Sequence, residues 1–163
     1  MNGLAYEEVR MTRPAPELRG KSVLVIGLAR SGMAAARFLS ARGAVLTAND
    51  ARTEADLGAE RAELAGMGAR VVLGSHPGEL FRRADLVVVS PGVPLALPVF
   101  DEARAAGAEI VSEVELASRY LEGAIVAITG SNGKSTTTSL VGDMLRGAGF
   151  FARTCGNIGV PFM

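Results

Sequence analysis

Lys21-Ser-Val-Leu-Val-Ile-Gly-Leu-Ala-Arg-Ser-Gly32 decides the fold class. Ser22 to Gly27 is a short β-branched run that ends on glycine, the pattern of a buried parallel strand. From Ser31 to Arg42, Met33, Ala36, Phe38 and Leu39 are interleaved with small residues, which predicts a helix, and Gly43 stops it. The alternation continues outward. Residues 44–49, 70–74, 85–90 and 109–111 predict strands, and residues 54–65, 99–106 and 113–120 predict helices. Strands alternating with helices imply right-handed βαβ units and a parallel sheet.

A second unit begins at Ala124-Ile-Val-Ala-Ile-Thr129, read as a strand. A helix is expected over 134–146, and Phe150-Phe-Ala-Arg153 suggests another strand. The expected fold is therefore α/β. Residues 1–19 form a leader, expected to be mobile or loosely docked. A Rossmann-like parallel-sheet domain covers 20–122. Residues 123–163 begin a phosphate-loop ATPase domain with its first βα(β) unit, which is incomplete.

The chain has 163 residues, enough for one domain or one and a fragment. Lys plus Arg number 17 and Asp plus Glu number 17, so the net charge is zero. That argues against nucleic-acid binding through an overall basic surface. Cys155 is the single cysteine, which excludes a disulfide within the chain and points to a reducing, cytoplasmic compartment. No apolar run reaches the length of a spanning helix, and the leader lacks the apolar core of a secretory signal, so no membrane partner is expected.

Thr129-Gly-Ser-Asn-Gly-Lys-Ser-Thr136 sits where a predicted strand opens into a helix. Such a loop aims successive backbone N–H groups at one point, and the helix dipole adds positive potential there. Lys134 can reach β- and γ-phosphates, and the Ser135 hydroxyl can ligate Mg²⁺. Ile128 stands where the usual phosphate-loop spacing has its first glycine. The bland alternative is a βα turn with an exposed lysine.

Gly27-Leu-Ala-Arg-Ser-Gly32 resembles a dinucleotide fingerprint, with Ala29 in place of the second glycine. Asp50 closes the next strand, where a carboxylate commonly accepts from a ribose or base. Ser90-Pro-Gly-Val-Pro94 follows the fourth strand, and Gly92 could let a ligand approach the backbone. Both loops also read as ordinary packing turns. His76, beside Pro77, reads as a surface residue and Cys155 as a packing residue.

As a set, residues 129–136, Gly156-Asn-Ile-Gly159, the Gly27–Gly32 loop, Asp50-Ala-Arg52 and Ser90-Pro-Gly-Val93 resemble the Mur ligase family. Within it they are similar to the branch that joins D-glutamate to UDP-N-acetylmuramoyl-L-alanine. The resemblance implies a UDP-binding first domain, an ATP-binding central domain and a third domain for the amino acid. It implies Arg30 and Ser31 at the diphosphate and Asp50 and Arg52 near uracil and ribose. Gly92 would line the same site, and Asn157 would contact the substrate. Gly130, Ser131, Asn132, Gly133, Lys134, Ser135 and Thr136 would hold ATP, with Lys134 on the phosphates and Ser135 at magnesium. Position 131 is serine where many relatives have threonine, and Ala51 stands where relatives often have a hydroxyl residue.

The implied reaction forms an acyl phosphate on the substrate's L-alanine carboxylate, which the D-glutamate amine then attacks. After Lys134 the sequence holds a single carboxylate, Asp143, about two turns along the helix and away from the phosphates. The chain therefore reads as an N-terminal part of a longer ligase, inactive alone. The apolar helix face (Leu140, Val141, Met144, Leu145) predicts concentration-dependent dimers or a mobile C-terminal segment. Two rival readings are a nicotinamide-dependent oxidoreductase domain and a non-catalytic UDP-sugar-binding module.

Overall fold

A computed structural model describes residues 15–156, 158 and 160–163. The elements run β1 (Ser22–Ile26), α1 (Arg30–Ala41), β2 (Val45–Asp50), α2 (Glu54–Gly66), β3 (Arg70–Leu73), α3 (Gly78–Arg82), β4 (Leu86–Val89), α4 (Val99–Ala105), β5 (Glu109–Ser112), α5 (Glu113–Ser118) and α6 (Lys134–Gly147). The five strands form one sheet in the order β3-β2-β1-β4-β5. Every neighbouring pair is parallel, with Val23 opposite Leu46 on one side and Leu86 on the other. The chain moves outward from β1 to β3, then crosses back to β4. The carboxyl ends of β1 and β4 thus flank a switch point, the place where open α/β sheets hold ligands.

β1 is buried on both faces, which is why it reads as an unbroken apolar run. Val23 and Val25 enter a cluster with Leu39 of α1, Leu64 of α2 and Leu116 of α5. Leu24 and Ile26 enter the opposite cluster with Phe81 of α3 and Phe100 of α4. Those two rings meet edge to face at 5.7 Å between centroids.

The structure departs from the sequence-based expectations in several places. α3 has no counterpart among those expectations, because five residues behind Pro77 are too few to show a helical period. Residues 124–129 form no strand. A strand needs a ladder partner for its N–H and C=O groups, and among the described residues none lies beside this stretch. Ile125 and Val126 accordingly stay 47% and 62% exposed. Residues 150–153 form no strand either, and Phe151 is exposed. On α6, Leu140 and Met144 are exposed while Val141 and Leu145 are half-buried. The described end of the leader is docked: Leu18 joins the apolar core, and the Tyr120 hydroxyl donates to the Pro16 carbonyl. Among the described residues, no helix is long and apolar enough to cross a membrane.

α1 starts hard against β1. Gly27 has φ +81°, which glycine adopts without strain. A Cβ on Gly32 would lie 1.8 Å from the Gly27 carbonyl oxygen. A Cβ on Gly92 would meet nothing within 4 Å. Gly32→Ala should therefore cost about 2–3 kcal/mol through overpacking. Gly92→Ala should stay within about 0.5 kcal/mol. Urea denaturation midpoints check the contrast.

Candidate nucleotide-binding site

Three loops meet at the carboxyl edge of the sheet, after β1, β2 and β4. The Gly27 N–H donates to the Asn49 carbonyl at 2.9 Å, and the Ser90 N–H donates to the Ile26 carbonyl at 3.0 Å. The Ser90 hydroxyl donates to the Gly27 carbonyl at 2.7 Å, so the β4 loop clamps the β1 loop. Ala29 is the N-cap of α1 and supplies no side-chain cap, and the first turn of α1 carries no acidic residue. The N-terminal turn of α1, with Arg30 exposed and Ser31 half-buried, therefore keeps the positive end of its dipole at this edge.

Asp50 is the last residue of β2 and is 8% exposed. Its Oδ2 accepts the Leu28 N–H at 2.7 Å. Oδ1 accepts the Arg52 N–H at 2.9 Å, and the Arg52 guanidinium donates to both oxygens, at 3.2 and 2.9 Å. Burial raises the carboxyl. The Arg52 side-chain hydrogen bond, the N–H groups of Arg52 and Leu28 and the Arg52 charge outweigh it, leaving Asp50 below the usual aspartate value. Asp50 thus fixes the β1 loop from the next strand, and Arg52 covers it at the surface.

The Gly130–Thr136 loop is separate from this edge in sequence and runs into α6. Gly133 is the N-cap of α6 with φ +76°, and the first turn carries no acidic residue. The Lys134 ammonium curls over the loop and donates to the Gly130 and Ser131 carbonyls at 2.6 and 3.2 Å. Ser135 and Thr136 are exposed. Glycine-permitted backbone, an ammonium over the loop and a dipole free of carboxylates suit a polyphosphate. For Mg²⁺ the fit is partial. The loop offers the Ser135 hydroxyl, and Asp143 is paired with Arg146 at 2.7 Å. Among the described residues, no group of three or more His, Cys, Asp or Glu could hold a metal ion.

Residues 21–112, the span of the sheet, match the family described as Mur ligase MurD-like, N-terminal domain. The chain belongs to the MurD-like family. It is 51% identical over 147 residues to the UDP-N-acetylmuramoylalanine–D-glutamate ligase of Trichlorobacter lovleyi, covering 90% of this chain and 33% of that protein. The ligase of the same name from Geobacter metallireducens is 50% identical over 147 residues, covering 90% and 32%. The chain therefore spans about a third of the length of the curated relatives it matches. Among solved structures, a pseudomurein peptide ligase type C from Methanothermus fervidus is 26% identical with a TM-score of 0.53, covering 80% of this chain and 27% of that one. A murein peptide ligase from Psychrobacter arcticus shares the fold, at 22% identity and a TM-score of 0.55, with the same coverages of 80% and 27%.

The MurD-like fold brings Arg30, Ser31, Asp50 and Arg52 to one sheet edge and sets the exposed Gly92 on the loop beside them. Asn157 lies outside the described residues. The groups that brace these loops carry no mark in the sequence. Ser90 was legible as part of its loop, but its hydroxyl bond to Gly27 was not. Asn49 is fully buried. Its Nδ2 donates to the Val72 and Ser75 carbonyls, both at 2.8 Å, so its Oδ1 is left to receive His76 Nδ1 at 2.6 Å. His76 is therefore half-buried and tied to the sheet, not the surface residue expected. Cys155 is half-buried. Burial and then the Glu113 charge push its thiol up.

Asp50→Ala should cost about 1–3 kcal/mol, because it leaves the buried Leu28 N–H unpaired. Asp50 has a lower pKa folded than unfolded, so its contribution is complete above the unfolded value and is lost as pH falls through the folded one. The stability gap between the wild type and Asp50→Ala should be flat from neutrality to about pH 5 and narrow below about pH 4. Urea melts across that range measure it.

Proposed function

We propose that this chain is the substrate-binding and ATP-loop part of a ligase joining D-glutamate to UDP-N-acetylmuramoyl-L-alanine in the cytoplasm. Residues 20–122 form the UDP-binding domain after a leader at 1–19, and 123–163 begin the ATP-binding domain. The observation that carries the UDP assignment is the state of Asp50. A dinucleotide site needs the carboxylate after its second strand free to accept from the adenosine ribose. Here both Asp50 oxygens are taken by Leu28 and Arg52. Ala29 further keeps the backbone from the close approach that a second glycine allows. Both features favour a uridine diphosphate over a nicotinamide dinucleotide. The second phosphate loop is unneeded by an oxidoreductase or by a passive sugar-binding module, and a ligase uses it.

In this reading the α1 N-terminus, with Arg30 and Ser31, takes the diphosphate, and Arg52 with the Asp50 backbone takes the uridine end. Gly92 leaves the β4 loop open beside them, and Asn157 meets the substrate from the central domain. Gly130 to Thr136 cradle ATP. Lys134 must leave the Gly130 and Ser131 carbonyls to meet the phosphates, and it then offsets charge as the γ-phosphoryl passes to the substrate carboxylate. Ser135 would hold Mg²⁺, which when bound neutralises phosphate charge. The acyl phosphate so formed is consumed by the D-glutamate amine, with release of phosphate.

In the full-length protein, Lys134→Ala should abolish phosphate release dependent on D-glutamate and UDP-N-acetylmuramoyl-L-alanine. Calorimetric binding of the UDP-linked substrate should stay within about threefold, because Lys134 serves the other nucleotide. Most of the turnover surviving in that variant would overturn the phosphate-loop role. Ser31→Ala and Arg52→Ala should each weaken substrate binding by about 1–3 kcal/mol.

A further inference from the structure

Glu113 is a buried carboxylate that no step above uses. It is the first residue of α5, directly after β5, and is 2% exposed. Among the described residues no lysine or arginine forms an ion pair with it. Arg119, the C-cap of α5, is engaged by Glu109 and Glu115 at 2.8 and 2.7 Å. A buried carboxylate without a cation must be held by hydrogen bonds. Its Oε1 accepts the Phe162 N–H at 3.2 Å, across 49 residues of sequence. Burial pushes the carboxyl up, and the Phe162 and Met163 N–H groups pull it back without cancelling the rise. Met163 packs against the core cluster that contains Leu116 of α5. The chain that follows the Lys134 helix is therefore tied to the end of the sheet that carries the three loops.

We propose that Glu113 is a positioning residue: it anchors the segment Val160–Met163 to the carboxyl edge of the sheet and so sets the ATP loop relative to the UDP-substrate edge. The inference rests on the ligase reading above. Transfer of a phosphoryl group between two separately bound nucleotides depends on alignment, and a misplacement of about 1 Å can cost about a hundredfold in rate. Loss of the anchor should thus lower kcat and leave the affinity of each site nearly intact. A merely structural carboxylate would affect stability and both affinities together.

The test uses the full-length protein. Glu113→Ala removes the acceptor, and Glu113→Gln keeps an acceptor oxygen without the charge. Phe162→Pro removes the donor while leaving Glu113 in place, and Phe162→Ala keeps the N–H. The expected result is a kcat at least tenfold lower for Glu113→Ala and Phe162→Pro, with KM for ATP and calorimetric affinity for the UDP-linked substrate within threefold. Glu113→Gln and Phe162→Ala should recover kcat to within threefold. Hydrogen exchange at the Phe162 amide should accelerate at least tenfold in Glu113→Ala and not in Glu113→Gln. Unchanged exchange at Phe162 in Glu113→Ala, an unchanged kcat in Phe162→Pro, or equal losses in Glu113→Gln and Glu113→Ala would each overturn the proposal. A wild-type protein that forms no amide would contradict the ligase reading instead, and the exchange measurement would still decide the anchor.

Discussion

The Asp50 carboxylate is the interaction on which the sheet edge depends. A parallel sheet fixes where strands end but leaves the loops beyond them free to vary. Asp50 removes that freedom by reaching from β2 to the Leu28 N–H of the neighbouring loop, while its second oxygen orders Arg52. Gly27, placed by its positive φ, then presents the carbonyl that Ser90 binds from β4. A group desolvated to this extent survives as an anion only because N–H donors and a guanidinium replace its water. The same four hydrogen bonds fill the acceptor positions of both Asp50 oxygens.

The fold was largely legible in the sequence because β1 is covered on both faces. An apolar run with no polar alternation has few explanations besides a central parallel strand, and the glycine stops between runs located the helices. The failures have a common physical origin. Residues 124–129 have the composition of a strand, but strand formation is a property of a pair, and a sequence run carries no record of whether its partner is at hand. Their exposure is the expected state of an apolar run without one. α3 escaped notice for the opposite reason: its order comes from Leu80 and Phe81 entering the core, a tertiary effect that five residues cannot advertise.

The candidate site was legible in part. Glycine spacing and strand ends marked the loops, and the sheet topology brings Arg30, Ser31, Asp50 and Arg52 to one edge as those marks implied. The bracing contacts were not readable, since Asn49, Ser90 and Glu113 act through partners 27, 63 and 49 residues away. The strand order is that of a dinucleotide-binding fold, and Ala29 and Asp50 stand at the two positions that such a site uses.

Isothermal titration calorimetry of this chain with UDP-N-acetylmuramoyl-L-alanine, UDP and NADH in parallel tests the central claim most directly. An engaged Asp50 predicts saturable binding of the UDP-linked substrate and of UDP, with NADH at least tenfold weaker. NADH binding as tightly as UDP, or more tightly, would contradict the account.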